Sequence, residues 1–209
     1  MQQPLRVPPS APARLVVLAS GTGSLLESLL EAAVDEYPGR IVAVGADRDC
    51  RALEIAAAAS LPTYTARLGD YASRDAWDAA MTEATAAHEP DLIVSAGFMK
   101  ILGWQFLSRF MGRIVNTHPA LLPAFPGAHA VSEALAYGVK VTGCSVHLVD
   151  AGTDTGPILA QQPVPVLDDD DEATLHERIK VVERRLLVDV LEALATRGVT
   201  WAGRKATIG

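Results

Sequence analysis

Leu15-Val-Val-Leu-Ala-Ser-Gly-Thr-Gly-Ser24 holds the strongest structural signal in this 209-residue chain. Its first five residues are all apolar, which is typical of a strand buried on both faces of a sheet. Two glycines follow, and from Leu25 to Val34 apolar residues recur at helical spacing. The stretch therefore predicts a strand, a tight glycine turn and a helix, the first unit of a parallel α/β sheet.

Further units of the same kind follow along the chain. The predicted strands are 41–44, 61–64, 92–95 and 113–116, with helices at 51–59 and 73–88 and a short helix before the last strand. Pro62 demotes its strand toward an edge of the sheet, since proline cannot donate to a strand ladder. We expect a doubly wound, mostly parallel sheet whose right-handed crossovers align the carboxyl ends of the strands.

The second half of the chain changes character. Residues 141–149 and 157–166 predict longer strands, which indicates an antiparallel or mixed extension of the sheet. The acidic run 168–172 opens a long helix that Gly198 is expected to end. Because carboxylates stabilise a helix N-terminus, we interpret the run as a cap and not as a metal site.

The domain organisation is simple. Residues 1–13 include four prolines and no apolar run, so we expect a flexible leader there. Residues 14–209 contain no repeat and no linker, which predicts a single domain.

Composition and charge exclude several classes of protein. The formal net charge of −7 is unsuited to sequence-independent binding of nucleic acid or anionic membrane, which needs a basic face. Two cysteines are too few for a disulfide scaffold or a four-thiolate zinc site. Neither a signal-peptide core nor an apolar run of about 20 residues is present. We therefore expect a soluble cytoplasmic protein.

The glycine turn Ser20-Gly-Thr-Gly-Ser24 could cradle a phosphate, since glycine permits close backbone approach and the next helix presents free N–H groups. The third glycine position of a dinucleotide motif is Leu26. Asp47, at the end of the second strand, could bind a ribose hydroxyl. A nicotinamide-dependent oxidoreductase and a turn that binds nothing are therefore both alternatives.

Polar residues cluster at Asn116 and His118, which end a predicted buried strand. Residues two apart in a strand point the same way, so both could face the crevice at the carboxyl edge of the sheet. Ser145 and His147 share one face of a later strand, and Asp154 follows. An Asp beside His118 would raise the pKa of the imidazole and hold the ring, as an acid–base catalyst needs. Turn capping by Asn116 and a backbone bond to His118 are the structural alternative.

Other chemistries have less support. The spacings of His118, His129 and His147 match no zinc signature, and no helix carries two of them four residues apart, so we expect no metal. No G-x-S-x-G turn is present for a serine hydrolase. Cys144 lies within a predicted strand and is interpreted as a packed thiol.

Several ordered motifs together resemble the formyltransferase superfamily that uses 10-formyltetrahydrofolate. They are Ser20-Gly-Thr-Gly-Ser24, Gly97-Phe-Met-Lys-Ile-Leu102, Asn116-Thr-His-Pro119, Leu122-Pro123 with Pro126-Gly127, and Ser145-Val-His147 ahead of Asp154-Thr-Gly-Pro157. The resemblance spans residues 14–201. Because larger members carry extra domains, the chain is most similar to members that formylate phosphoribosylglycinamide in purine synthesis.

The resemblance also implies site residues. They are catalytic Asn116, His118 and Asp154; substrate-binding Gly23, Ser24, Leu25 and Glu183; and folate-binding Arg74, Met99, Lys100, Ile101, Leu102 and Asp150. The family usually has Asn at the position of Leu25 and Arg at that of Lys100, and Lys lacks the planar fork of Arg. Neither departure touches the catalytic trio.

The implied reaction is direct acyl transfer from 10-formyltetrahydrofolate, with no metal. Asn116 and protonated His118 would stabilise the charge on the formyl oxygen, and Asp154 would raise the pKa of His118. Another folate-dependent formyltransferase or a hydrolase stays an alternative, as does a catalytically silent folate- or nucleotide-binding module. A homodimer is one expectation for the assembly of the chain.

Overall fold

A computed structural model describes residues 5–34 and 36–209 of the chain. Its strands are β1 (Leu5–Val7), β2 (Ala13–Ala19), β3 (Gly39–Ala46), β4 (Thr63–Thr65), β5 (Leu92–Ser95), β6 (Ile114–His118), β7 (Val141–Leu148), β8 (Ile158–Pro165), β9 (Val199–Ala202) and β10 (Lys205–Ile208). Its α-helices are α1 (Ser24–Ala32), α2 (Arg51–Ala58), α3 (Arg74–Ala86), α4 (Trp104–Arg109), α5 (Ala130–Tyr137) and α6 (Glu172–Arg197).

These ten strands form one sheet, in the order β1-β9-β10-β8-β7-β6-β5-β2-β3-β4. The five strands from β6 to β4 run parallel, while β7 is antiparallel to both β6 and β8. The predicted fold class, a doubly wound and mostly parallel sheet with an antiparallel extension, is confirmed. The strand after Pro62 lies at the sheet edge, as predicted. The chain order reverses between β2 and β5, which leaves a crevice above their carboxyl ends.

The apolar run of β2 is buried on both faces, as its composition predicts. Leu15 and Val17 face the layer formed by α1, α2 and α6, whereas Val16 and Leu18 face the opposite layer of α3 and α4. Trp77 of α3 is fully buried in that second layer. Helices therefore cover both faces of the parallel strands, and the ligand-binding edge is held between two packed layers.

The acidic run before α6 is a cap, as predicted. The side chain of Asp171 accepts a hydrogen bond from Thr174 N at 2.8 Å, and Thr174 Oγ1 accepts one from Asp171 N at 2.9 Å. Asp170 forms a two-armed ion pair with Arg178, with the shorter contact at 2.6 Å. Gly198 ends the helix with φ +72°, a conformation that favours glycine.

Part of the leader predicted over residues 1–13 belongs to the sheet. Residues Leu5–Val7 form β1, which pairs with β9, and Ser10 N donates to Ala195 O at 3.0 Å. The partner strands lie at the far end of the chain, so no local pattern reveals the pairing. Residues 1–4 lie outside the described residues. Helix α5 and the hairpin of β9 and β10 were not predicted either.

In the ranges that the structure covers, no helix is both long and apolar enough to cross a membrane.

Candidate active site

A cavity of about 700 Å³ opens at the carboxyl ends of β2, β5 and β6. Its walls come from residues within 20–25, 95–102, 116–119, 127–128 and 147–154, together with His176, Lys180 and Glu183 of α6. This is the place where the strand order reverses and where doubly wound sheets bind ligands. Its volume suits a small-molecule site.

The glycine turn forms one end of the cavity. Gly23 has φ +77°, and a Cβ there would lie 2.7 Å from Ile55 Cδ1 and 2.9 Å from Ala52 Cα. Only glycine therefore allows the turn to pack this closely against α2. Ser24 and Leu25 begin α1 and line the cavity beside it. The free N–H groups of this first turn make the wall suited to an anion.

Asn116 and His118 both line the cavity from β6, on the same side of the strand, as their spacing predicts. The antiparallel register sets Asn116 opposite His147 and His118 opposite Ser145. Ser145 is fully buried, and its hydroxyl donates to Ala120 O at 2.7 Å. The strand pair therefore fixes two imidazoles and one amide at the centre of the cavity wall.

Asp154 reaches the same point from the loop after β7. Its Oδ2 lies 3.4 Å from His118 Nδ1 and accepts a hydrogen bond from Gly127 N at 2.8 Å. Its Oδ1 lies 3.6 Å from His147 Nε2. Hydrogen bonding from His147, the Gly127 N–H and the charges of the two histidines together lower the pKa of Asp154 to about 2. The carboxylate is therefore ionised throughout the physiological range.

The His118 ring is held at both edges. Its Nε2 lies 2.7 Å from the carbonyl oxygen of Phe125, opposite the edge that faces Asp154. Both nitrogens face oxygen acceptors, so both contacts are satisfied only when each nitrogen carries a proton. The arrangement suits an imidazolium ring. Phe125 itself has φ +52°, and this turn conformation directs its carbonyl oxygen toward His118 Nε2.

His147 joins Asn116 to Asp154. Its Nδ1 lies 2.9 Å from Leu148 O, and its Nε2 lies 3.2 Å from Asn116 Nδ2. When neutral, Nε2 accepts a hydrogen bond from the amide; when protonated, it donates toward Asp154. The Asn116 amide has a second N–H that this contact leaves available for a ligand.

Helix α6 contributes three side chains to the cavity wall. His176, Lys180 and Glu183 recur at helical spacing and all line the cavity. Glu183 is 7% exposed, and burial raises its pKa, although the Thr117 hydroxyl and nearby cations offset part of the rise. Burial and the charge of Lys180 lower the pKa of His176. The wall places two basic groups beside a buried acid.

Residues 99–102 line the cavity on the side of β5. Met99 and Ile101 are exposed, whereas Leu102 is buried. Met99 N donates to Ser20 Oγ at 2.9 Å, which joins this segment to the glycine turn. Lys100 Nζ lies 4.0 Å from Asp47 Oδ2.

The sequence of this chain matches a known protein family. Residues 13–191 match the family model described as Formyl transferase. The chain belongs to the formyl transferase family.

Individual relatives are similar along the whole length. A phosphoribosylglycinamide formyltransferase of Mycobacterium tuberculosis (strain CDC 1551 / Oshkosh) is 78% identical, covering 100% of this chain and 97% of that protein. One of Bacillus subtilis (strain 168) is 35% identical over 92% of this chain and 99% of that protein. The crystal structure of glycinamide ribonucleotide transformylase 1 from Symbiobacterium toebii superposes with a TM-score of 0.91 at 40% identity, covering 94% of this chain and 93% of that one.

Most of the site residues that the sequence suggested line one cavity in this formyl transferase. They are Gly23, Ser24, Leu25, Met99, Lys100, Ile101, Leu102, Asn116, His118, Asp150, Asp154 and Glu183. Asp150 also organises its own loop, with Oδ1 accepting from Gly152 N at 3.0 Å and Thr155 Oγ1 at 2.6 Å.

Arg74 is the exception, because it does not line the cavity. Its guanidinium donates to the carbonyl of Ile101 and lies over the ring of Trp77. It contacts the backbone of the folate segment suggested by the sequence, from behind.

Two cavity residues of this formyl transferase, His176 and Lys180, are not among those predicted from the sequence. Their spacing to Glu183 on the predicted long helix was the available signal, since residues separated by three, four and seven positions share a helix face. The Phe125 carbonyl is not among them either, because no side-chain pattern predicts a backbone contact.

Asp47 does not occupy the position that a ribose-binding residue of the nicotinamide alternative needs. Its side chain is buried, 1% exposed, and pairs with Arg48 Nη2 at 2.8 Å outside the cavity wall. Burial opposes ionisation, but hydrogen bonds from Arg48 and Ser20 still lower the pKa of Asp47. Within residues 5–34 and 36–209, no cluster of three metal-ligating side chains is found.

Proposed function

We propose that this formyl transferase transfers the formyl group of 10-formyltetrahydrofolate to the amine of 5′-phosphoribosylglycinamide, a step of de novo purine biosynthesis. The full-length relative that is 78% identical carries that activity in its name. One observation supports the proposal above all others: Asn116, His118 and Asp154 meet on one wall of a cavity whose end is a glycine turn. An acyl-transfer centre beside an anion cradle is what the two substrates require.

The glycine turn would bind the phosphate. Gly23, Ser24 and Leu25 supply backbone N–H groups at the positive end of α1, which suits a dianion. Lys180 faces the same cavity from α6 and adds positive charge, whereas the lowered pKa of His176 favours its neutral ring beside it. Backbone groups carry this contact, so the leucine at position 25 does not remove it.

Glu183 would bind the glycinamide end of the acceptor. Its carboxylate is buried in the cavity wall, where a hydrogen-bonding ligand would offset its desolvation. Lys180 and Glu183 are three residues apart on α6, a rise of about 4.5 Å along the helix axis. The acceptor would therefore lie with its phosphate at the glycine turn and its amine toward β6.

The folate substrate would enter along residues 99–102 and the loop that contains Asp150. Exposed Met99 and Ile101 offer apolar contacts, and the backbone of the segment offers hydrogen bonds for a flat heteroaromatic ring. The ammonium group of Lys100 lies near the carboxylate of Asp47, which orients the lysine side chain along the cavity wall.

Asn116 and His118 would stabilise the transition state. When the free amine attacks the formyl carbon, negative charge develops on the formyl oxygen, and fixed N–H donors stabilise it. The second N–H of the Asn116 amide is available for this contact. The imidazolium of His118 would contribute the stronger donor, exchanging the Phe125 carbonyl for the formyl oxygen.

Asp154 would keep His118 charged and oriented throughout this step. The attacking amine must lose a proton, and the folate nitrogen that leaves must gain one. The Asp154 carboxylate, held ionised by its surroundings, and the adjacent imidazolium together provide a base and an acid for that transfer.

Formyl transfer can be followed by the absorbance change as the folate product forms. With both substrates we expect turnover that collapses in His118→Ala. Folate release without the acceptor would instead support the hydrolase alternative, and folate binding without turnover would support the silent binding module. A change of NADH fluorescence on titration would support the oxidoreductase alternative.

The proposal extends to organisation. Residues 14–209 would act as one domain, because all the strands within them belong to one sheet. The cytoplasmic location and the homodimer considered from the sequence stay predictions, and light scattering of the purified chain tests the dimer.

A further inference from the structure

Asp78 is a buried carboxylate that the proposed reaction does not use. It lies on α3, is 3% exposed, and does not line the cavity. Its Oδ1 accepts a hydrogen bond from Gly103 N at 2.7 Å, and its Oδ2 accepts from Gln105 N at 2.9 Å and Phe106 N at 3.3 Å. These N–H groups belong to the start of α4, which has no cap of its own because Gly103 has no side chain.

Arg74 lies four residues earlier on α3, so it shares a helix face with Asp78. Its guanidinium donates to the carbonyl of Ile101. The two side chains therefore hold the backbone at positions 101 and 103, on both sides of Leu102. The chain between them is part of the cavity wall.

The contact between α3 and this segment leaves no space for a side chain. A Cβ at Gly103 would lie 2.5 Å from the Asp78 Cγ and Oδ2 atoms and 2.8 Å from its Oδ1 atom. These are the three nearest atoms, and all belong to Asp78. Helix α3 cannot retreat easily, because Trp77 and Met81 anchor it in the core with no exposed surface.

We propose that Asp78 is a positioning residue for the folate substrate: it fixes the backbone of residues 99–102 by capping α4 from the neighbouring helix. The inference rests on the proposed function, since it assumes that the formyl-folate binds along this segment. A carboxylate with three N–H donors defines the path of the chain better than a water could. The segment then meets the folate already ordered, without an entropic cost of arranging it.

The test uses Gly103→Ala, Asp78→Ala and the double variant, with Gly69→Ala as the matched control. Gly69 has open space around it and lies in a separate turn at 68–70. Affinity for the non-reactive analogue 5,8-dideazafolate is measured by calorimetry. The same preparations give KM for each substrate and kcat, and circular dichroism verifies that each variant is folded.

We expect Gly103→Ala and Asp78→Ala each to weaken analogue binding and raise KM for the folate by about tenfold or more. KM for phosphoribosylglycinamide should change by less than about twofold, because neither substitution alters residues 23–25, which would bind its phosphate. The double variant should be no worse than Asp78→Ala alone, because removing the carboxylate also removes the three atoms nearest to the new Cβ. Gly69→Ala should match the unsubstituted chain.

Three results would overturn the inference: unchanged folate affinity in a folded Gly103→Ala chain, equal losses for both substrates, or independent, additive losses in the double variant. Where Asp78→Ala does not fold, Asp78→Asn replaces it; its amide keeps one acceptor oxygen, so we expect a smaller loss confined to the folate. If the unsubstituted chain binds no folate analogue, the proposed function itself is contradicted. If a variant binds the analogue as tightly as the unsubstituted chain, only the role of Asp78 is contradicted.

Discussion

Asp154 Oδ2 lies 3.4 Å from His118 Nδ1, while the other nitrogen of that ring lies 2.7 Å from the Phe125 carbonyl. The ring is therefore fixed between an ionised carboxylate and a neutral oxygen. Because the pKa of Asp154 is lowered to about 2, its carboxylate faces the ring as an anion at neutral pH. In the proposed formyl transfer, this carboxylate would stabilise a positive charge on the ring.

Replacing Asp154 with Asn should lower kcat by about 10² or more, because the amide cannot hold the imidazolium or take up a proton. Steady-state formyl transfer measures the change. Asp168→Asn is the matched control, since the side chain of Asp168 is 96% exposed and pairs only with Lys140 in the described structure. A kcat for Asp154→Asn within threefold of the control would remove Asp154 from the mechanism.

Asn116→Ala and His118→Ala should each lower kcat by about 10²–10³, the usual cost of one lost oxyanion donor. KM for the two substrates should change less, because the donors act mainly on charge that develops during the reaction. His88→Ala is the control for the imidazole, since His88 stacks on Tyr64 and does not line the cavity. Losses that appear only in KM would assign both residues to ground-state binding.

Glu183→Gln should stabilise the free protein at neutral pH while it weakens acceptor binding. Burial raises the pKa of Glu183 above its unfolded value, so ionisation favours the unfolded chain, and stability falls as pH rises from that value through the folded one. The substitution removes this cost, so the stabilisation should be present at pH 8 and largely absent at pH 4, where the carboxyl is mostly protonated in both states.

Thermal unfolding at the two pH values measures the effect of Glu183→Gln. Glu192→Gln, an exposed position on the same helix, should change the unfolding free energy by less than about 0.5 kcal/mol. Equal stabilisation by both glutamines, or stabilisation that persists undiminished at pH 4, would show that burial of Glu183 is not its cause.

Gly112→Ala should destabilise the fold more than Gly138→Ala does. Both glycines have positive φ, +71° and +80°, so an alanine costs about 1 kcal/mol at either position. A Cβ at Gly138 meets open space, whereas one at Gly112 would overlap the indole ring of Trp201 in β9. Chemical denaturation should therefore separate the two variants by about 1–3 kcal/mol. Trp201→Ala should remove most of that difference; a difference that survives would place the strain elsewhere.

The sequence predicts the parts of the fold that depend on local pattern. The apolar run of β2, the helical spacing after Ser24 and the acidic cap at Asp171 each require only nearby residues. The pairing of Leu5–Val7 with β9 depends instead on strands separated by almost the whole chain. A strand of three residues, preceded and followed by prolines, carries no alternation that could reveal it.

The site divides in the same way. Strand alternation predicts that Asn116 and His118 share a face, and α6 spacing could have predicted Lys180. The approach of Asp154 to His118 joins the end of β6 to the loop after β7, so it could be expected only by resemblance. The position of Arg74 behind the Ile101 carbonyl depends on how α3 packs, which the sequence does not encode locally.

The pairing of β6 with β7 has a consequence for insertions and deletions. Asn116 lies opposite His147, and side chains along a strand alternate between the two faces of the sheet. A shift of one strand by one residue would therefore turn its site side chains to the other face, away from the cavity. Such a register shift would abolish formyl transfer even if every residue is retained. In this part of the chain, the number of residues is therefore constrained as strictly as their identity, and libraries that vary length should leave 114–118 and 141–148 intact.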